Sequence, residues 1–264
     1  MKITSGENIG KLLMAEIREI TENQERQLPS EADIAKKFGI SRTQLRDYMA
    51  ELENEFIITR QRGRGTRVNR HVLDIPLRMD FSQSFHDRIR AMGHEPEVDV
   101  LEMEMCVVDE FLATKLSIGV GTPVLMVAGV AKADGKPAIY CKSYFPYQIF
   151  KRMDFTRDSF RIPFFDFLQI YCNLQPDYDL SEVTPIVADK ELIGILGVEE
   201  GCPLLKMEVV SYTIDELPIL WSQEYYVPEM IQFTLVRKAP NDFTNQRRLT
   251  IQPDCSYEHD ETHH

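Results

Sequence analysis

An internal repeat occupies the second part of the 264-residue chain. The segment DEFLATKLSIGVGTPVLMV (109–127) aligns without a gap with DKELIGILGVEEGCPLLKM (189–207), an offset of 80 residues (189 minus 109). Each copy has the pattern of a short helix, a turn containing Gly and Pro, and a strand that leads into a second strand. Two such units predict a pseudo-symmetric α+β domain built on an antiparallel sheet. A cleft between the halves of such a domain is a natural ligand site.

Charge is distributed unevenly along the sequence. The chain has 42 acidic and 30 basic residues, for a net charge of −12. Residues 1–70 carry 13 bases and 11 acids (+2), and the remaining 194 residues carry 17 bases and 31 acids (−14). Five arginines and two glycines, with no acid, fall in TRQRGRGTRVNR (59–70). The asymmetry indicates two functions on one chain, although charge alone leaves open a merely solvated basic face.

Three helical patterns precede the arginine-rich stretch. The first is an apolar stripe at helical spacing, made by Ile9, Leu12, Leu13, Ile17 and Ile20. The second pattern begins after a capping residue, Ser30, and ends at Gly39; the third begins after Ser41. Only Gly-Ile-Ser separates the second and third helices, and a short turn containing Gly is the connection of a helix-turn-helix.

The third helix has one apolar and one polar face. Its apolar positions, at i, i+3, i+4 and i+7, are Leu45, Tyr48, Met49 and Leu52. Thr43 and Arg46 point the opposite way, with Arg42 on the flank. The N-terminal residues of such a helix can enter a DNA major groove. The alternative is a small helical bundle whose third helix only exposes polar groups.

The stretch FIITRQRGRGTRV (56–68) argues against the simple bundle. It alternates briefly, turns at Gly63–Gly65 and returns through Val68, which predicts a two-stranded hairpin. Arginines at the tip of the hairpin would lie near phosphates or in a minor groove, because glycine lets the backbone approach closely. The stretch is not a dinucleotide-binding loop, since it lacks the third glycine and does not open a helix.

Residues 28–68 together resemble the winged helix-turn-helix of GntR-type bacterial repressors. The positions that match the family pattern are Leu28, Pro29, Ser30, Glu31, Ser41, Arg42, Arg46, Gly63, Gly65 and Thr66. Where the family usually has arginine after the glutamate, this chain has Ala32, which suggests weaker binding or a shifted operator. The resemblance implies a homodimer on double-stranded operator DNA. The expected DNA contacts are Ser30, Glu31, Ser41, Arg42, Thr43, Gln44, Arg46, Arg62, Gly63, Arg64, Gly65 and Thr66.

Residues 76–238 resemble the UTRA effector domain of the HutC branch of that family, which has a chorismate-lyase-like α+β fold. The resemblance rests on SFHDRIRAMGHEP (84–96), ADGKP with SYFP, and WSQEYYVP. It implies a small-molecule effector between the halves. The candidate contacts carried over by position are Ser84, Phe85, Gly129, Ala131, Lys142, Ser143, Tyr144, Glu182, Glu224 and Tyr226. Core packing remains the alternative for the aromatic residues, and solvent exposure the alternative for the two glutamates.

Departures from the family pattern bear on the effector. Many sugar-phosphate-sensing members have arginines at the positions of Gly129 and Ala131, and Lys142 stands where another arginine is expected. A phosphate needs fixed donors, which guanidinium groups supply best. The apolar lining expected here consists of Met126, Val127, Ala131 and Trp221. We therefore expect an effector that is less anionic or more hydrophobic than a sugar phosphate.

Two other classes of function fit part of the sequence. A chorismate-lyase-like enzyme has the fold in its favour, but fold alone carries no activity, and the sequence lacks HExxH, GxSxG, P-loop and metal-spaced Cys/His motifs. A pure protein-binding module leaves the arginine helix and the hairpin unexplained. No catalytic residue, cofactor or metal is expected, and His259, His263 and His264 fit a fraying tail better than a metal site.

The expected organisation is a winged helix-turn-helix over residues 1–70, a linker over 71–80, a UTRA domain over 81–238 and a polar tail over 239–264. No run of about 18 apolar residues predicts a membrane span, and the start of the chain does not resemble a signal peptide. The five scattered cysteines indicate reduced thiols and a cytoplasmic protein.

Overall fold

The N-terminal part is a three-helix unit with a hairpin. The computed structural model describes residues 6–61 and 63–237. The elements of this part are α1 (Gly6–Glu22), α2 (Glu31–Phe38), α3 (Arg42–Asn54), β1 (Ile58–Gln61) and β2 (Gly65–Val68), with β1 and β2 antiparallel. One apolar cluster joins all five elements and includes Leu13, Ile17, Ile34, Leu45, Met49, Ile58 and Val68. The predicted winged helix-turn-helix is confirmed.

Side-chain caps fix the ends of the two helices in the helix-turn-helix. The Ser30 hydroxyl accepts the Asp33 N–H at 3.2 Å. Ser41 and Gln44 form a reciprocal capping box at the start of α3. Gly39 ends α2 with φ of +68°, a conformation that costs glycine little. These caps set the short turn that holds α3 against α2.

The second part contains a six-stranded antiparallel sheet. After α4 (Arg70–Leu73) and α5 (Phe85–Ala91), the strands are β3 (Pro96–Val107), β4 (Pro123–Ala133), β5 (Lys136–Pro146), β6 (Tyr178–Val187), β7 (Pro203–Tyr212) and β8 (Pro218–Tyr226). Their order across the sheet is β3-β4-β5-β8-β7-β6. The predicted α+β domain with an antiparallel sheet is confirmed.

The sequence repeat corresponds to a structural repeat. The two duplicated helices are α6 (Glu110–Leu116) and α8 (Lys190–Leu196). Asp109 accepts the Leu112 N–H at 2.8 Å, and Asp189 accepts the Leu192 N–H at 2.9 Å, so the same cap recurs in each copy. The strands β4 and β5 correspond to β7 and β8, and the halves meet where β5 pairs with β8.

The two faces of the sheet are covered differently. Helices α6 and α8 pack on one face, which we call the helix-pair face. The other face, which we call the cavity face, is covered by α5 and by an aromatic segment. That segment comprises a 3-10 helix (Arg157–Arg161), α7 (Phe164–Phe167) and a π-helical turn (Leu168–Cys172).

The segment expected to be a linker, residues 71–80, contains the last residues of α4 and is packed at its end. Leu77 is 1% exposed and belongs to an apolar cluster with Ile139 and Tyr226. Arg78 is 7% exposed, and its backbone forms an isolated parallel β-bridge with Thr234. The chain between the two parts is therefore attached to the sheet domain from Leu77 onward.

In the described ranges, no helix combines the length and the apolar character needed to cross a bilayer. No cluster of three or more His, Cys, Asp or Glu side chains suited to a metal occurs among these same residues. The tail histidines His259, His263 and His264 lie outside the described residues.

Candidate functional site

Polar side chains cover the outer surface of α3 at its N-terminal end. Arg42, Thr43, Gln44 and Arg46 are all exposed, while Leu45 and Met49 between and after them are fully buried. The side-chain oxygen Oε1 of Gln44 accepts from the Ser41 N–H at 3.2 Å, so the capping box uses that acceptor. The start of α3 thus presents two guanidinium groups, a hydroxyl and an amide to solvent.

Glu31 orients the arginine in the centre of this surface. Its carboxylate accepts from Arg46 Nε at 2.9 Å and lies 4.0 Å from Arg60 Nη1. Arg60 also pairs with Glu53 at 2.6 Å. These contacts connect α2, α3 and β1, and the Glu31 carboxylate orients the Arg46 guanidinium. Arg60 was not singled out from the sequence, although it lies in the arginine-rich stretch.

The hairpin closes a groove beside α3. Gly63 and Gly65 have φ of +79° and +76°, as its tight turn requires, and Arg64 between them is exposed. Gln27 Nε2 donates to the Arg64 carbonyl at 3.4 Å and occupies the space that a Cβ on Gly65 would need. The groove measures about 580 Å³, and its lining includes Ser30, Glu31, Arg42, Arg60, Gly65 and Thr66. Arg62, the remaining expected contact, lies outside the described residues.

A second candidate site is a two-part cavity on the cavity face of the sheet. Six of the ten residues expected to contact an effector line it: Ser84, Phe85, Gly129, Ala131, Ser143 and Glu224. Ser84 also caps α5 by accepting the Asp87 N–H at 3.2 Å. Tyr226 is fully buried just behind the cavity, where it contacts Glu224. These residues thus border one cavity, and their contact with an effector remains a prediction.

The other three expected residues do not share the cavity. Lys142, Tyr144 and Glu182 lie on the helix-pair face, because neighbouring residues of a strand point to opposite sides of a sheet. Tyr144 packs beside Trp221 with ring centroids 5.4 Å apart, and Glu182 pairs with Lys115 of α6 at 3.4 Å. The expectation that these three line the same site is corrected, as is the expected lining by Met126 and Trp221, which belong to clusters on the helix-pair face.

The larger chamber, of about 90 Å³, is apolar. Its lining includes five phenylalanines, Phe85, Phe145, Phe160, Phe164 and Phe167. Phe160 and Phe167 lie 4.1 Å apart between ring centroids. His86 also borders the chamber, and burial lowers the pKa of its ring, which favours the neutral form. Sequence reasoning missed the aromatic segment, although four phenylalanines in FRIPFFDF (160–167) were a usable signal.

The smaller chamber, of about 60 Å³, is polar and shares Phe85, Cys141, Ser143 and Phe164 with the first. Its main feature is an ion pair between Arg88 Nη1 and Glu224 Oε2 at 3.1 Å. Burial opposes the charge of Arg88, but the carboxylate of Glu224 outweighs burial and raises the pKa of Arg88. Burial also raises the pKa of Tyr226, so its hydroxyl keeps the proton that it donates to Glu224.

Glycine is required at the floor of the apolar chamber. A Cβ on residue 129 would lie 2.8 Å from the carbonyl oxygen of Asp99, closer than carbon and oxygen can approach. The approach results from an irregular register between β3 and β4 after Val100. A side chain at residue 129 would have to displace β3, so this backbone does not accept an arginine at that position.

A short segment joins the two candidate sites. The Arg78 guanidinium donates to the Glu55 carbonyl at the C-terminal end of α3 (2.5 Å), pairs with Asp80 and stacks on Phe81. Four residues after Arg78, Ser82 donates to Asp179, and Gln83 lines the polar chamber. Residues 78–84 thus contact α3 at one end and border the cavity at the other.

A winged helix-turn-helix joined to a cavity-bearing α+β domain defines the class of ligand-responsive DNA-binding proteins. The model for bacterial regulatory proteins of the gntR family matches residues 5–68, and the UTRA domain model matches residues 91–232. The chain belongs to the GntR family, in the group whose effector domain is a UTRA domain. It is a DNA-binding transcriptional regulator with a small-molecule effector domain, and not an enzyme.

Relatives and solved structures agree with this assignment. The HTH-type transcriptional repressor NagR of Bacillus subtilis (strain 168) is 26% identical over 185 residues, which cover 70% of this chain and 74% of NagR. The structure of the possible transcriptional regulator YydK from Bacillus subtilis subsp. subtilis str. 168 has a TM-score of 0.72 at 21% identity, covering 88% of this chain and 99% of YydK. PhnF from Mycobacterium smegmatis has a TM-score of 0.56 at 22% identity, covering 86% and 99%. At these identities the two structures support the fold alone.

Proposed function

We propose that the protein is a cytoplasmic, homodimeric repressor that binds operator DNA through the start of α3 and the hairpin. The observation that carries this proposal is the exposed pair Arg42 and Arg46, with Arg46 oriented by Glu31 beside the groove. Guanidinium groups on the first turns of such a helix read guanine edges or bind phosphates, and the hairpin positions the domain on the backbone. Two copies would place their α3 helices about 34 Å apart on a two-fold operator.

Binding to the DNA upstream of the protein's own gene tests the proposal. We expect a gel shift whose apparent Kd rises about a thousandfold between 50 and 200 mM salt, as for about six phosphate contacts in a dimer. A duplex of equal length and shuffled sequence is the control, and it should bind far more weakly. Equal affinity for both duplexes, or no binding at low salt, would refute a specific operator-binding role.

We propose that the dimer forms through β6, an edge strand of the sheet. Leu180, Val183 and Val187 of β6 are exposed, and most of the strand is open to solvent. The opposite edge, β3, is partly covered, since Arg161 of the 3-10 helix pairs with Asp99 at 3.5 Å. An uncovered edge with apolar side chains is suited to pairing with a second copy.

A charge placed on β6 should break this dimer. We expect Leu180→Glu to lower the mass in sedimentation equilibrium from two chains to one at low micromolar concentration, because the carboxylate would be buried against its copy. Leu101→Glu, at an exposed leucine on the other edge strand, is the matched control and should remain dimeric. If Leu180→Glu stays dimeric while Leu101→Glu dissociates, the interface lies at β3 instead.

Control by the effector would pass through residues 78–84. A ligand in the polar chamber contacts the Gln83 and Ser84 region, and movement there reaches Arg78 and the C-terminal end of α3. The coupling needs to supply only about 1–3 kcal/mol to change operator affinity usefully. The supporting observation is that Ser82, four residues after Arg78, donates to Asp179, which lines the polar chamber.

A further inference from the structure

The body of the effector is defined by the apolar chamber. Five phenylalanines and the small residues Gly129 and Ala131 form most of the wall around about 90 Å³, and His86, Cys141 and Ser143 are its few polar members. A mainly apolar cavity with such a lining is suited to a single ring or a short branched chain. A sugar carries hydroxyls on most of its carbons, and these hydroxyls would find no hydrogen-bond partners among the aromatic side chains.

The charges of the polar chamber do not favour an anion. Arg88 is the one cation among its lining residues, and its charge is matched by Glu224. Asp179 adds a second carboxylate, held by Ser82 and by Ser211 Oγ at 2.6 Å. One guanidinium against two carboxylates gives the chamber a formal charge of −1. An anionic ligand would meet net repulsion there, while a cation would be attracted.

The hydrogen-bonding groups of the chamber lead to the same conclusion. Glu224 already accepts from Arg88, Tyr226 and Ser222, so its oxygens are occupied. The side-chain oxygen of Gln83 is buried and has no donor within the part of the chain that the structure describes. A buried acceptor without a partner costs free energy, and a ligand that donates a hydrogen bond removes this cost.

We propose that the effector is a small molecule with an aromatic or branched apolar body and a hydrogen-bond-donating head group without negative charge, an amine in its simplest form. The apolar body occupies the phenylalanine chamber, and the head group donates to Gln83 Oε1 in the polar chamber, which Asp179 also lines. The proposal rests on the assignment of this cavity as the effector site. It assigns Gln83 and Asp179, which sequence comparison did not single out, as residues that determine specificity.

Thermal unfolding of the full chain with three probes tests this inference. The probes are phenethylamine, hydrocinnamate, which has a similar body and a carboxylate head, and glucose-6-phosphate. We expect phenethylamine to raise Tm in a saturable way by about 2–4 °C. Hydrocinnamate and the sugar phosphate should need at least about tenfold higher concentration for the same shift. Their anionic groups cannot donate to Gln83 Oε1, and they are repelled by the negative charge of the polar chamber.

Two variants and one control locate the binding. Gln83→Leu removes the acceptor with little change in shape and should raise the half-saturating amine concentration about tenfold. Gln223→Leu is the control, because it removes the same kind of side chain from the helix-pair face of β8, away from the cavity. Gln223 donates to Glu208 at 3.4 Å there, and its loss should leave amine binding unchanged. Ala131→Phe fills the apolar chamber and should abolish the shift. A cooperative unfolding transition followed by the fluorescence of Trp221, which is buried in the sheet, shows that the effector domain of each variant is folded.

The outcomes separate the ligand class from the site. If hydrocinnamate or glucose-6-phosphate stabilises the chain more than the amine does, and Ala131→Phe abolishes that effect, the cavity is the effector site but the proposed class is wrong. No stabilisation by phenethylamine also overturns the class. A shift that persists in Ala131→Phe, with the effector domain folded, places the ligand elsewhere and removes the cavity from the proposed function. Operator binding itself is tested independently by the gel shift.

Discussion

Replacing Arg42 or Arg46 by alanine is expected to weaken operator binding by about 1–3 kcal/mol each, roughly 5- to 150-fold. Both guanidinium groups are exposed at the start of α3, where they can reach base edges or phosphates. The larger effect is expected at Arg46, because Arg46 Nε also donates to the Glu31 carboxylate at 2.9 Å. Without that arginine, the negative charge of Glu31 would repel the phosphates of bound DNA. Fluorescence anisotropy with a labelled operator duplex at fixed salt measures the change.

Lys37→Ala is the matched control for lost charge. Lys37 is on α2, where its ammonium group pairs with Glu16 of α1, away from the start of α3. Its substitution should change operator affinity less than twofold. Arg46→Lys separates charge from shape, since lysine lacks the planar fork and should recover only part of the affinity. Unchanged affinity in both Arg42→Ala and Arg46→Ala would show that the DNA surface has been assigned to the wrong part of the domain.

Replacing Arg88 by methionine is expected to destabilise the effector domain by about 3–5 kcal/mol, because it leaves Glu224 buried without its cation. The side chains of Arg88 and Glu224 are 11% and 9% exposed. Urea unfolding followed by fluorescence reports this domain directly, because the chain's single tryptophan, Trp221, is buried in its sheet. The lost stability should appear as a lower midpoint with an unchanged slope.

Arg90→Met is the matched control, two residues further along the same chain segment. Its guanidinium pairs with Asp87 at 3.7 Å, and both side chains are more than half exposed, so the expected change is below about 0.5 kcal/mol. Adding Glu224→Leu to Arg88→Met should restore part of the stability, since the buried charge is then gone. Equal effects of Arg88→Met and Arg90→Met would mean that Glu224 is not charged or not buried in solution.

Local patterns predicted the DNA-binding part well. Its signals are short-range: the caps at Ser30 and Ser41, the stop at Gly39 and the glycines of the hairpin each determine a conformation within a few residues. The 80-residue repeat likewise predicted two helix–strand–strand units, because identical spacing in two copies implies identical local structure. The order of the six strands, in which the copies meet at β5 and β8, needed the three-dimensional structure.

The effector site was only partly predictable, for two physical reasons. Family positions indicate which strand carries a contact, but the register of the strand decides which face of the sheet each side chain points to. Lys142 and Tyr144 point to the face opposite Ser143. The cover of the cavity comes from the aromatic segment, which lies between the repeats and belongs to neither copy. Likewise, the Arg88–Glu224 pair joins residues 136 positions apart, which no local pattern can reveal.

The connection through residues 78–84 has a consequence for chimeric regulators. Exchanging effector domains between relatives normally places the junction in the segment between domains, on the assumption that it is inert. Here Arg78 donates a hydrogen bond to the Glu55 carbonyl at the end of α3, and Ser82 donates one to Asp179 of the effector domain. A hybrid joined anywhere in that stretch would combine mismatched partners, so a working fusion should take the end of α3 and residues 78–84 from the same parent.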